Sequence, residues 1–325
     1  MLYDLIIIGG GPGGVAAGIY ASRKKLKTAL VTDSFGGQSL VSAGIENWIG
    51  TKSISGYDLA KALEEHLRAQ ENVTIIENDL VTSVERLPAP AEKEALLSAA
   101  DRAMRSEAGR FRIGTKNGTT LLTRAVLVTS GSRHRRLGIP GEAALEGNGV
   151  MFCATCDAPL FKGKTVAVVG GGNSGLESVV DLIPYADAIY LLHRNAALKG
   201  DPQTQEKIRA NKKVTVILNA APEEILGDGT VTGLRYRNTV TGETVTLPLQ
   251  GVFVEIGAVP NSEVVKDLVK RNDFGEILID HRTGQTSASG IWAAGDVADV
   301  RYKQNNISVG DSIKAVLNIY ETLQA

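Results

Sequence analysis

The N-terminal part of the chain alternates short apolar runs with segments of helical periodicity. Residues Leu5–Ile8 form a continuous apolar run, which is typical of a strand buried on both faces of a parallel sheet. The small-residue segment Val15–Ala21 predicts a helix, and Thr28–Thr32 predicts the next strand. Residues Ser55–Gln70 carry leucines at helical spacing and predict a second helix, whereas Leu122–Thr129 again predicts a buried strand. This order predicts an α/β fold.

The same alternation returns in the second half of the chain. The further predicted elements are the strands Thr165–Val169, Ala188–Leu192, Val252–Ile256, Ile277–Ile279 and Gly290–Asp296, and the helices Leu176–Leu182 and Ser308–Leu323. Between the halves, Pro88–Arg110 is rich in Ala, Glu, Lys and Arg and contains few large apolar residues. This composition predicts an exposed helical insertion or a mobile segment.

A glycine-rich turn follows the first predicted strand of each half. Gly9, Gly11 and Gly14 occupy the positions of a Gly-x-Gly-x-x-Gly motif, and Gly170, Gly172 and Gly175 repeat it. Between a strand and a helix, these glycines permit a tight turn and a close approach of the backbone to a pyrophosphate at the helix N-terminus. The internal repeat therefore predicts two bound dinucleotides, or one dinucleotide and one empty site.

The residues after the second strand of each unit bear on the choice of nucleotide. Asp33 lies about 20 residues beyond the first motif, where an acid can reach a ribose hydroxyl; it is equally interpretable as a solvated turn residue. The second unit has His193–Lys199 at this place, with Arg194 and Lys199 as cations and no acid. Cations favour the 2′-phosphate of NADPH over the ribose diol of NADH.

Cys153 and Cys156 are the only two cysteines among the 325 residues. A zinc site needs about four ligands, and the four histidines are scattered along the chain. A structural disulfide would close a loop too short to remove much entropy from the unfolded chain. A redox dithiol explains both the spacing and the absence of other cysteines, and Asp157 places a carboxylate where a proton must move on and off sulfur.

Composition and charge narrow the partners. The formal net charge is −1, which provides no electrostatic footprint for nucleic acid or an anionic membrane. The N-terminus shows no signal-peptide pattern, and no apolar run reaches the roughly 18 residues of a membrane span. We expect a soluble, cytoplasmic protein.

Taken together, these motifs resemble the low-molecular-weight thioredoxin reductase family along the whole chain, and the chain looks most like the thioredoxin-reductase-like part of the alkyl hydroperoxide reductase flavoprotein subunit. The segments that carry the resemblance are Gly9–Gly14, Phe35–Gln38, Ile45–Asn47, Cys153–Asp157, Pro159–Lys164, Gly170–Gly175, Ile256–Asn261, Ala293–Asp296 and Tyr302–Gln304.

The resemblance implies FAD on the first unit and a nicotinamide nucleotide on the second. It implies that Cys156 faces the flavin, that Cys153 attacks the partner disulfide and that Asp157 handles the proton. The candidate cofactor-binding residues for the two nucleotides together are Gly9, Gly11, Pro12, Gly13, Gly14, Asp33, Gly37, Gln38, Asn47, Gly131, Gly170, Gly172, Asn173, Ser174, Gly175, His193, Arg194, Lys199, Gly257, Gly295, Asp296, Lys303, Gln304 and Ser308. No metal is expected.

Three departures from the family pattern affect these expectations. NADPH-using members tend to read His-Arg-Arg where this chain has His193-Arg194-Asn195, which places 2′-phosphate selectivity in question. Ser308 and Ser312 stand where alanine and glycine are usual, which could alter packing beside the flavin. The thioredoxin-like N-terminal domain of the hydroperoxide reductase flavoprotein is not seen, so a separate carrier protein is expected.

The sequence thus predicts two doubly wound, Rossmann-like nucleotide-binding domains, the second inserted in the first. The FAD domain is expected at residues 1–135 and 251–325 and the NAD(P)H domain, with the cysteine pair, at 136–250. The expected activity is reduction of a thioredoxin-like or glutaredoxin-like carrier by an NAD(P)H flavoenzyme, in a homodimer. The alternatives are a ferredoxin- or flavin-linked disulfide reductase with a vestigial nicotinamide site, an NADH-using flavoprotein of a peroxiredoxin system, and a non-catalytic flavin-bound sensor.

Overall fold

The computed structural model describes residues 1–42, 44–87 and 111–324, so the prediction for Pro88–Arg110 lies outside the described residues. The strands are β1 (Leu2–Gly10), β2 (Thr28–Phe35), β3 (Val73–Ile76), β4 (Val81–Arg86), β5 (Phe111–Thr115), β6 (Thr120–Val128), β7 (Ser132–His134), β8 (Val150–Met151), β9 (Thr165–Val169), β10 (Ala188–His193), β11 (Val214–Leu218), β12 (Ala220–Asp228), β13 (Thr230–Asn238), β14 (Thr244–Pro248), β15 (Gly251–Val254), β16 (Ala258–Pro260) and β17 (Ile291–Ala293).

The described α-helices are α1 (Pro12–Arg23), α2 (Gly56–Arg68), α3 (Ala154–Asp157), α4 (Asn173–Leu182), α5 (Pro202–Arg209) and α6 (Asn305–Gln324). Short 3₁₀ turns occupy Gly37–Val41, Ala158–Phe161, Glu263–Val265 and Gly295–Val297.

The chain divides into two compact units. The first unit contains Met1–Leu40, Gly56–Arg133 and Val259–Ala325, and the second contains Val41–Ser55 and His134–Ala258. These bounds differ from the predicted ones because β15 pairs in parallel with β9 and so belongs to the second unit. The segment at 41–55 also groups with the second unit, for which the sequence offered no signal.

The first unit is built on a sheet of seven strands in the order β3-β2-β1-β6-β5-β4, with β17 paired to β6. Strand β1 lies between β2 and β6 and is parallel to both. Its alternate residues serve two different cores: Ile6 and Ile8 pack into one apolar cluster, and Leu5 and Ile7 into another. Burial on both faces explains why the strand reads as an unbroken apolar run.

The second unit repeats this arrangement with a parallel sheet of five strands in the order β11-β10-β9-β15-β8. In the central strand β9, Val166 and Val168 pack into one core and Ala167 and Val169 into the other. A separate antiparallel sheet of three strands, β12-β13-β14, completes the unit. Each unit therefore contains a Rossmann-like arrangement of a sheet and helices, as the sequence predicted.

Several predicted elements differ from those observed. Ile277–Ile279 does not form a strand, because Ile277 and Ile279 make only isolated bridges, for example to Ala298 and Thr286. The strand predicted at Gly290–Asp296 ends at Ala293, and Asp296 lies in a 3₁₀ turn. The last helix begins at Asn305, one turn earlier than predicted, because Ser308 already donates its backbone N–H to the carbonyl of Gln304.

The described part of the chain contains neither a membrane-spanning helix nor a metal-binding cluster. None of its helices combines the length and the apolar composition that a membrane crossing requires. Its His, Cys, Asp and Glu side chains form no group of three or more that could bind a metal ion.

Candidate functional site

A cleft of about 670 Å³ opens in the first unit where β1 ends and α1 begins. It lies at the carboxyl ends of parallel strands, the usual place for a nucleotide in an open α/β sheet. The volume lies in the range of about 300 to 1,000 Å³ that is typical of small-molecule sites. The residues that line it come from the glycine turn, the end of β2, the segments 37–38, 80–82, 129–132 and 261–264, and from Lys116, Ala294, Gly295, Asp296, Asn305 and Ser308.

The glycine turn of this cleft forms a cradle that side chains would fill. A Cβ on Gly14 would overlap the carbonyl oxygen of Gly9, and a Cβ on Gly9 would come within 2.6 Å of the carbonyl oxygen of Thr129. A Cβ on Gly13 would lie 2.7 Å from the Oγ of Ser312, on the helix that packs against α1. Gly11 is the N-cap of α1 and has no side chain that could accept a capping hydrogen bond. First-turn N–H groups are thereby left for an anion.

Polar side chains that line the cleft could also form hydrogen bonds with a bound dinucleotide. Asp33 is exposed at the end of β2 and lines the cleft, although it lies inside the strand rather than in a turn. Gln38 donates to Ser132 at 3.1 Å, and its buried Oε1 has no partner among the described residues. A donor on a bound ligand would satisfy that oxygen. Gly131 and Gly295, two of the predicted cofactor-binding residues, also line the cleft. Their backbone φ angles are 63° and 74°.

Asp296 and Ser308 meet at the far side of the same cleft. Ser308 Oγ lies 3.5 Å from the carboxylate of Asp296. Burial raises the pKa of Asp296, and Lys303 and the Ser308 hydrogen bond oppose that rise. These two residues therefore present polar groups to the cleft from the turn after β17 and from α6, which only the fold brings to the glycine turn.

Gly14 and several other predicted cofactor residues are not among the residues that line this cleft. Lys303 forms an ion pair with Glu276 at 2.8 Å and donates to backbone carbonyls. Gln304 lies at the start of the last helix. Gly257 and Asn47 belong to the second unit, where the Nδ2 of Asn47 lies 4.0 Å from the Sγ of Cys156.

The glycine turn of the second unit repeats the first one closely. A Cβ on Gly175 would overlap the carbonyl oxygen of Gly170, as Gly14 does with Gly9. Gly172 is the N-cap of α4 and makes no side-chain cap. Asn173 and Ser174 are exposed at the first turn of the helix, and Asn173 accepts from the backbone N–H of Asp201 at 2.7 Å.

The segment after β10 lies against this second turn. The backbone N–H of Lys199 donates to the carbonyl of Gly171 at 2.7 Å. Arg194 and Lys199 are exposed. His193 is partly buried; burial lowers its pKa, and the two cations act in the same direction. The segment therefore presents two cations and a neutral imidazole beside the glycine turn.

Asp201 is the acid that follows this segment most closely, and it is already engaged. Its carboxylate caps α5 by accepting from the backbone N–H of Thr204 at 2.8 Å and from its hydroxyl at 2.9 Å. Those hydrogen bonds hold the pKa of Asp201 below its usual range. Both hydrogen bonds end on the same carboxylate oxygen, Oδ2, so the cap turns Asp201 toward α5.

Cys153 and Cys156 form a disulfide, with their Cα atoms 5.3 Å apart. Cys153 is the N-cap of the single-turn helix α3, and its carbonyl accepts from the backbone N–H groups of Cys156 and Asp157. Asp157 is buried, and burial raises the pKa of its carboxyl to about 7. A carboxyl with a pKa near neutrality can both hold and release a proton at working pH.

Sequence reasoning missed one group at this pair. Glu255 follows β15, and its carboxyl accepts from the Ser178 hydroxyl at 2.6 Å and from the backbone N–H of Ala154. The signal that could have found it is an acid directly after an apolar parallel strand, because the carboxyl ends of such strands line the site.

The fold and the site combine two dinucleotide-type units with a Cys-x-x-Cys disulfide in an α/β protein. The chain belongs to the family of pyridine nucleotide-disulphide oxidoreductases, which matches residues 3–312. This family uses FAD and a pyridine nucleotide, and the glycine cradles, helix N-termini and cleft described above fit such cofactors. The predicted resemblance, fold class and enzyme class are confirmed.

Named relatives agree with this placement. The chain is 41% identical to an alkyl hydroperoxide reductase subunit of Pseudomonas putida over 322 residues, which are 99% of this chain and 58% of that protein. It is 38% identical to a Bacillus subtilis NADH dehydrogenase with the same coverage of both chains. The chain thus spans somewhat more than half the length of these relatives.

Solved structures show the same architecture. The crystal structure of thioredoxin reductase from Streptococcus pyogenes superposes with a TM-score of 0.86 at 31% identity, covering 99% of this chain and 98% of that one. A thioredoxin reductase from Giardia duodenalis also gives a TM-score of 0.86, at 29% identity, covering 100% of this chain and 99% of that one.

Proposed function

We propose that the chain is an FAD-dependent reductase that uses NADPH and delivers electrons through Cys153 and Cys156 to a disulfide of a thioredoxin-like carrier protein. FAD, when bound, supplies the exchange between a hydride and an electron pair that nicotinamide and disulfide chemistry require. The observation that carries the proposal is the Cys153–Cys156 disulfide beside the buried Asp157, in a unit that also holds a nucleotide-type glycine turn.

The thiol chemistry assigned to the pair balances as follows. Reduction of the Cys153–Cys156 bond takes up two electrons and two protons. Cys153, as thiolate, attacks one sulfur of the carrier disulfide and releases the other as a thiolate. Cys156 then attacks the sulfur of Cys153 in the mixed disulfide, which restores the internal disulfide and frees the reduced carrier. The Nδ2 of Asn47 lies 4.0 Å from the Sγ of Cys156, which gives this sulfur a polar neighbour.

Asp157 is assigned the proton that this exchange requires. It is adjacent to Cys156 in the chain, and its pKa near 7 lets it accept a proton from one thiol and return it to a leaving thiolate. Its burial keeps it out of competition with bulk water for that proton.

NADPH is proposed over NADH because of the charges after β10. Arg194 and Lys199 are exposed and can pair with a 2′-phosphate, while Asp201 is committed to its cap. The expected advantage is about 1–2 kcal/mol, or roughly 5- to 30-fold in kcat/KM, since both cations remain solvated.

The test is steady-state reduction of an oxidised bacterial thioredoxin, followed through nucleotide absorbance with NADPH and NADH in turn. We expect turnover with both and preference for NADPH. Variants C153S and C156S should abolish reduction of thioredoxin while still binding nucleotide. Unchanged turnover in either cysteine variant would overturn the proposed route.

A second candidate is an NADH-using flavoprotein of a peroxiredoxin system. The observation in its favour is the 41% identity to an alkyl hydroperoxide reductase subunit, together with the neutral Asn195 after Arg194. Better kcat/KM with NADH than with NADPH in the same assay would favour this candidate.

The carrier and the assembly complete the proposal. A thioredoxin-like or glutaredoxin-like domain is proposed as the electron acceptor, and a homodimer as the assembly. Light scattering of the purified chain and a comparison of oxidised thioredoxin with oxidised glutaredoxin as substrates test these two points.

A further inference from the structure

Glu255 stands at the carboxyl end of β15, directly after four fully buried residues. The residue as a whole retains some exposure, but its carboxyl group is enclosed by protein. Ser178 Oγ, on the buried face of α4, donates to Oε1 at 2.6 Å. The backbone N–H of Ala154 donates to the same carboxyl. Glu255 therefore connects helix α4 to the residue that directly follows Cys153.

This carboxyl has an unusual electrostatic setting. Of the groups in the described chain that act on its pKa, none is basic; Glu177 and Asp181 of α4 are acidic and raise it further. Burial is the largest cause and raises the pKa of Glu255 to about 7, against the two hydrogen bonds that lower it. An enclosed carboxyl without a cation is costly, and an amide could accept the same hydrogen bonds at lower cost.

The position of Glu255 relative to the disulfide complements that of Asp157. Asp157 is adjacent in the chain to Cys156. The carboxyl of Glu255 accepts a hydrogen bond from the backbone N–H of Ala154, the residue after Cys153. Covalent geometry keeps the Sγ of Cys153 within roughly 8 Å of the carboxyl in that arrangement. Glu255 is thus tied to the Cys153 side of the pair, whereas Asp157 follows Cys156 in the chain.

We propose that Glu255 is a positioning residue of the dithiol, which holds the Cys153–Ala154 backbone against α4 and sets, through its charge, how readily Cys153 releases its proton. The proposal deepens the proposed function, since it assumes that the pair is redox-active. It does not depend on which nucleotide or carrier the chain uses.

The charge acts in a defined direction. When Glu255 is ionised, its negative charge opposes formation of a thiolate at Cys153 and so raises the pKa of that thiol; when it is protonated, the opposition disappears. The other groups that act on this carboxyl are Ser178, Glu177 and Asp181 from α4, with Asp181 also accepting from Thr155 at 2.7 Å, and the backbone N–H of Ala154 from the cysteine segment. Because Glu255 titrates near neutrality, reactivity of Cys153 should rise less steeply with pH than for a lone thiol.

The test measures alkylation of the reduced pair and needs neither nucleotide nor carrier. The protein is reduced with dithiothreitol, freed of reductant without air, and treated with iodoacetamide across a range of about pH 5.5 to pH 9, and the rate at each cysteine is read by peptide mass spectrometry. In E255Q we expect Cys153 to react about 3- to 10-fold faster than in the unmodified protein at about pH 8, and at the same rate at about pH 5.5. The change at Cys156 should be smaller.

Two further variants separate the proposal from its alternatives. E243Q removes the same charge from an exposed residue of the same unit that does not act on the pKa of Glu255, and it should change the Cys153 rate less than about 2-fold. S178A keeps the carboxyl but removes a donor to its charged form, so the inflection near neutrality should move to higher pH. This variant also serves if E255Q does not fold.

Definite outcomes overturn the proposal. Parallel pH profiles for E255Q, S178A and the unmodified protein would show that Glu255 does not act on Cys153. A larger change of the alkylation rate at Cys156 than at Cys153 would mean that the carboxyl acts on Cys156, contrary to the proposal. Failure of thioredoxin reduction with normal alkylation shifts would instead refute the proposed function and leave the role of Glu255 standing.

Discussion

The glycine turns of the two nucleotide-type units have the same backbone arrangement, but the segments that follow them in the chain differ. In each, the third glycine of the turn lies against the carbonyl of the first, as Gly14 does with Gly9 and Gly175 with Gly170. In each, a glycine N-cap leaves the first helical turn without a side-chain cap. The difference begins at the end of the second strand, where the first unit has Asp33 and the second has a cationic segment.

This divergence shows which features bind any dinucleotide and which choose one. The pyrophosphate contact depends on backbone N–H groups and the absence of Cβ atoms, so it is common to both turns. The choice depends on exposed charges at the next strand end, which change without disturbing the fold. The cysteine pair lies in the second unit, together with the enclosed carboxyls of Asp157 and Glu255.

The largest effect should come from a matched pair of substitutions, G14A and G175A. Each new Cβ overlaps a carbonyl oxygen of its own turn, so the turn must shift and lose about two charge-assisted hydrogen bonds to phosphate, or roughly 10³-fold in affinity. G14A should lose FAD, measured by flavin absorbance after gel filtration, whereas G175A should keep FAD and lose binding of NADP⁺ in calorimetry.

G310A is the control for that pair, because a Cβ on Gly310 meets nothing within 4 Å in helix α6. It should leave both nucleotides bound. If G14A kept its FAD, or if G175A released FAD, the equivalence of the two turns would be wrong.

A second difference concerns the pH dependence of stability. Asp157 and Glu255 of the second unit both have pKa values raised to about 7 by burial. The folded state therefore holds protons that the unfolded chain has released, so the free energy of unfolding is greatest below about pH 4 for these groups and falls as pH rises through 7. The loss is at most about 4 kcal/mol for Asp157 and about 3 kcal/mol for Glu255.

D157N removes one of these groups and should flatten the curve. Urea unfolding of the oxidised protein at about pH 5.5 and about pH 8 measures the difference, and D157N should narrow it by about 1–3 kcal/mol. E243Q is the control, because it removes one negative charge from an exposed residue of the same unit. It should leave the difference between the free energies of unfolding at the two pH values unchanged. Equal slopes for D157N and the unmodified protein would refute the raised pKa.

D157N should also slow the thiol chemistry. Losing the carboxyl next to Cys156 while keeping its size should reduce disulfide turnover by about 10²-fold, since a positioned general acid–base contributes that much. Nucleotide binding should not change, because the substitution lies away from the glycine turn. Turnover of thioredoxin across a pH series checks this, and an unaltered profile would reduce Asp157 to a structural residue.

The smallest effect should come from removing the charged side chains that distinguish the two units, Arg194 and Asp33. R194A should remove most of the preference for NADPH, a change of about 5- to 30-fold in the ratio of kcat/KM values, and leave NADH kinetics in place. D33N in the first unit should weaken retention of FAD by less than about 10-fold, since Asp33 is exposed. A ratio that R194A leaves untouched would mean that Arg194 is only a solvated charge at a strand end.

Much of the fold followed from the sequence because its signals are local. Leu5–Ile8 and Thr165–Val169 read as strands buried on both faces, and both lie between parallel neighbours. The glycine turns, the helices after them and the cysteine pair were likewise visible, since spacing of three to five residues fixes which backbone groups can meet.

What depended on distant contacts was not visible in this way. The apolar triplet Ile277–Ile279 has the composition of a strand, yet it finds only isolated bridges to Ala298 and Thr286. The end of the second unit could not be placed either, because the assignment of Gly251–Val254 depends on its pairing with Thr165–Val169, about 85 positions earlier in the chain.

The sequence by itself determined that the chain has two glycine turns, a dithiol and an acid after it. Only the tertiary structure decided that Glu255 reaches the peptide after Cys153, that Ser178 donates to it, and that Asp201 is committed to a helix cap. The reason is that a pKa, a hydrogen bond and an enclosure are properties of groups brought together from separate elements. No single stretch of residues contains them.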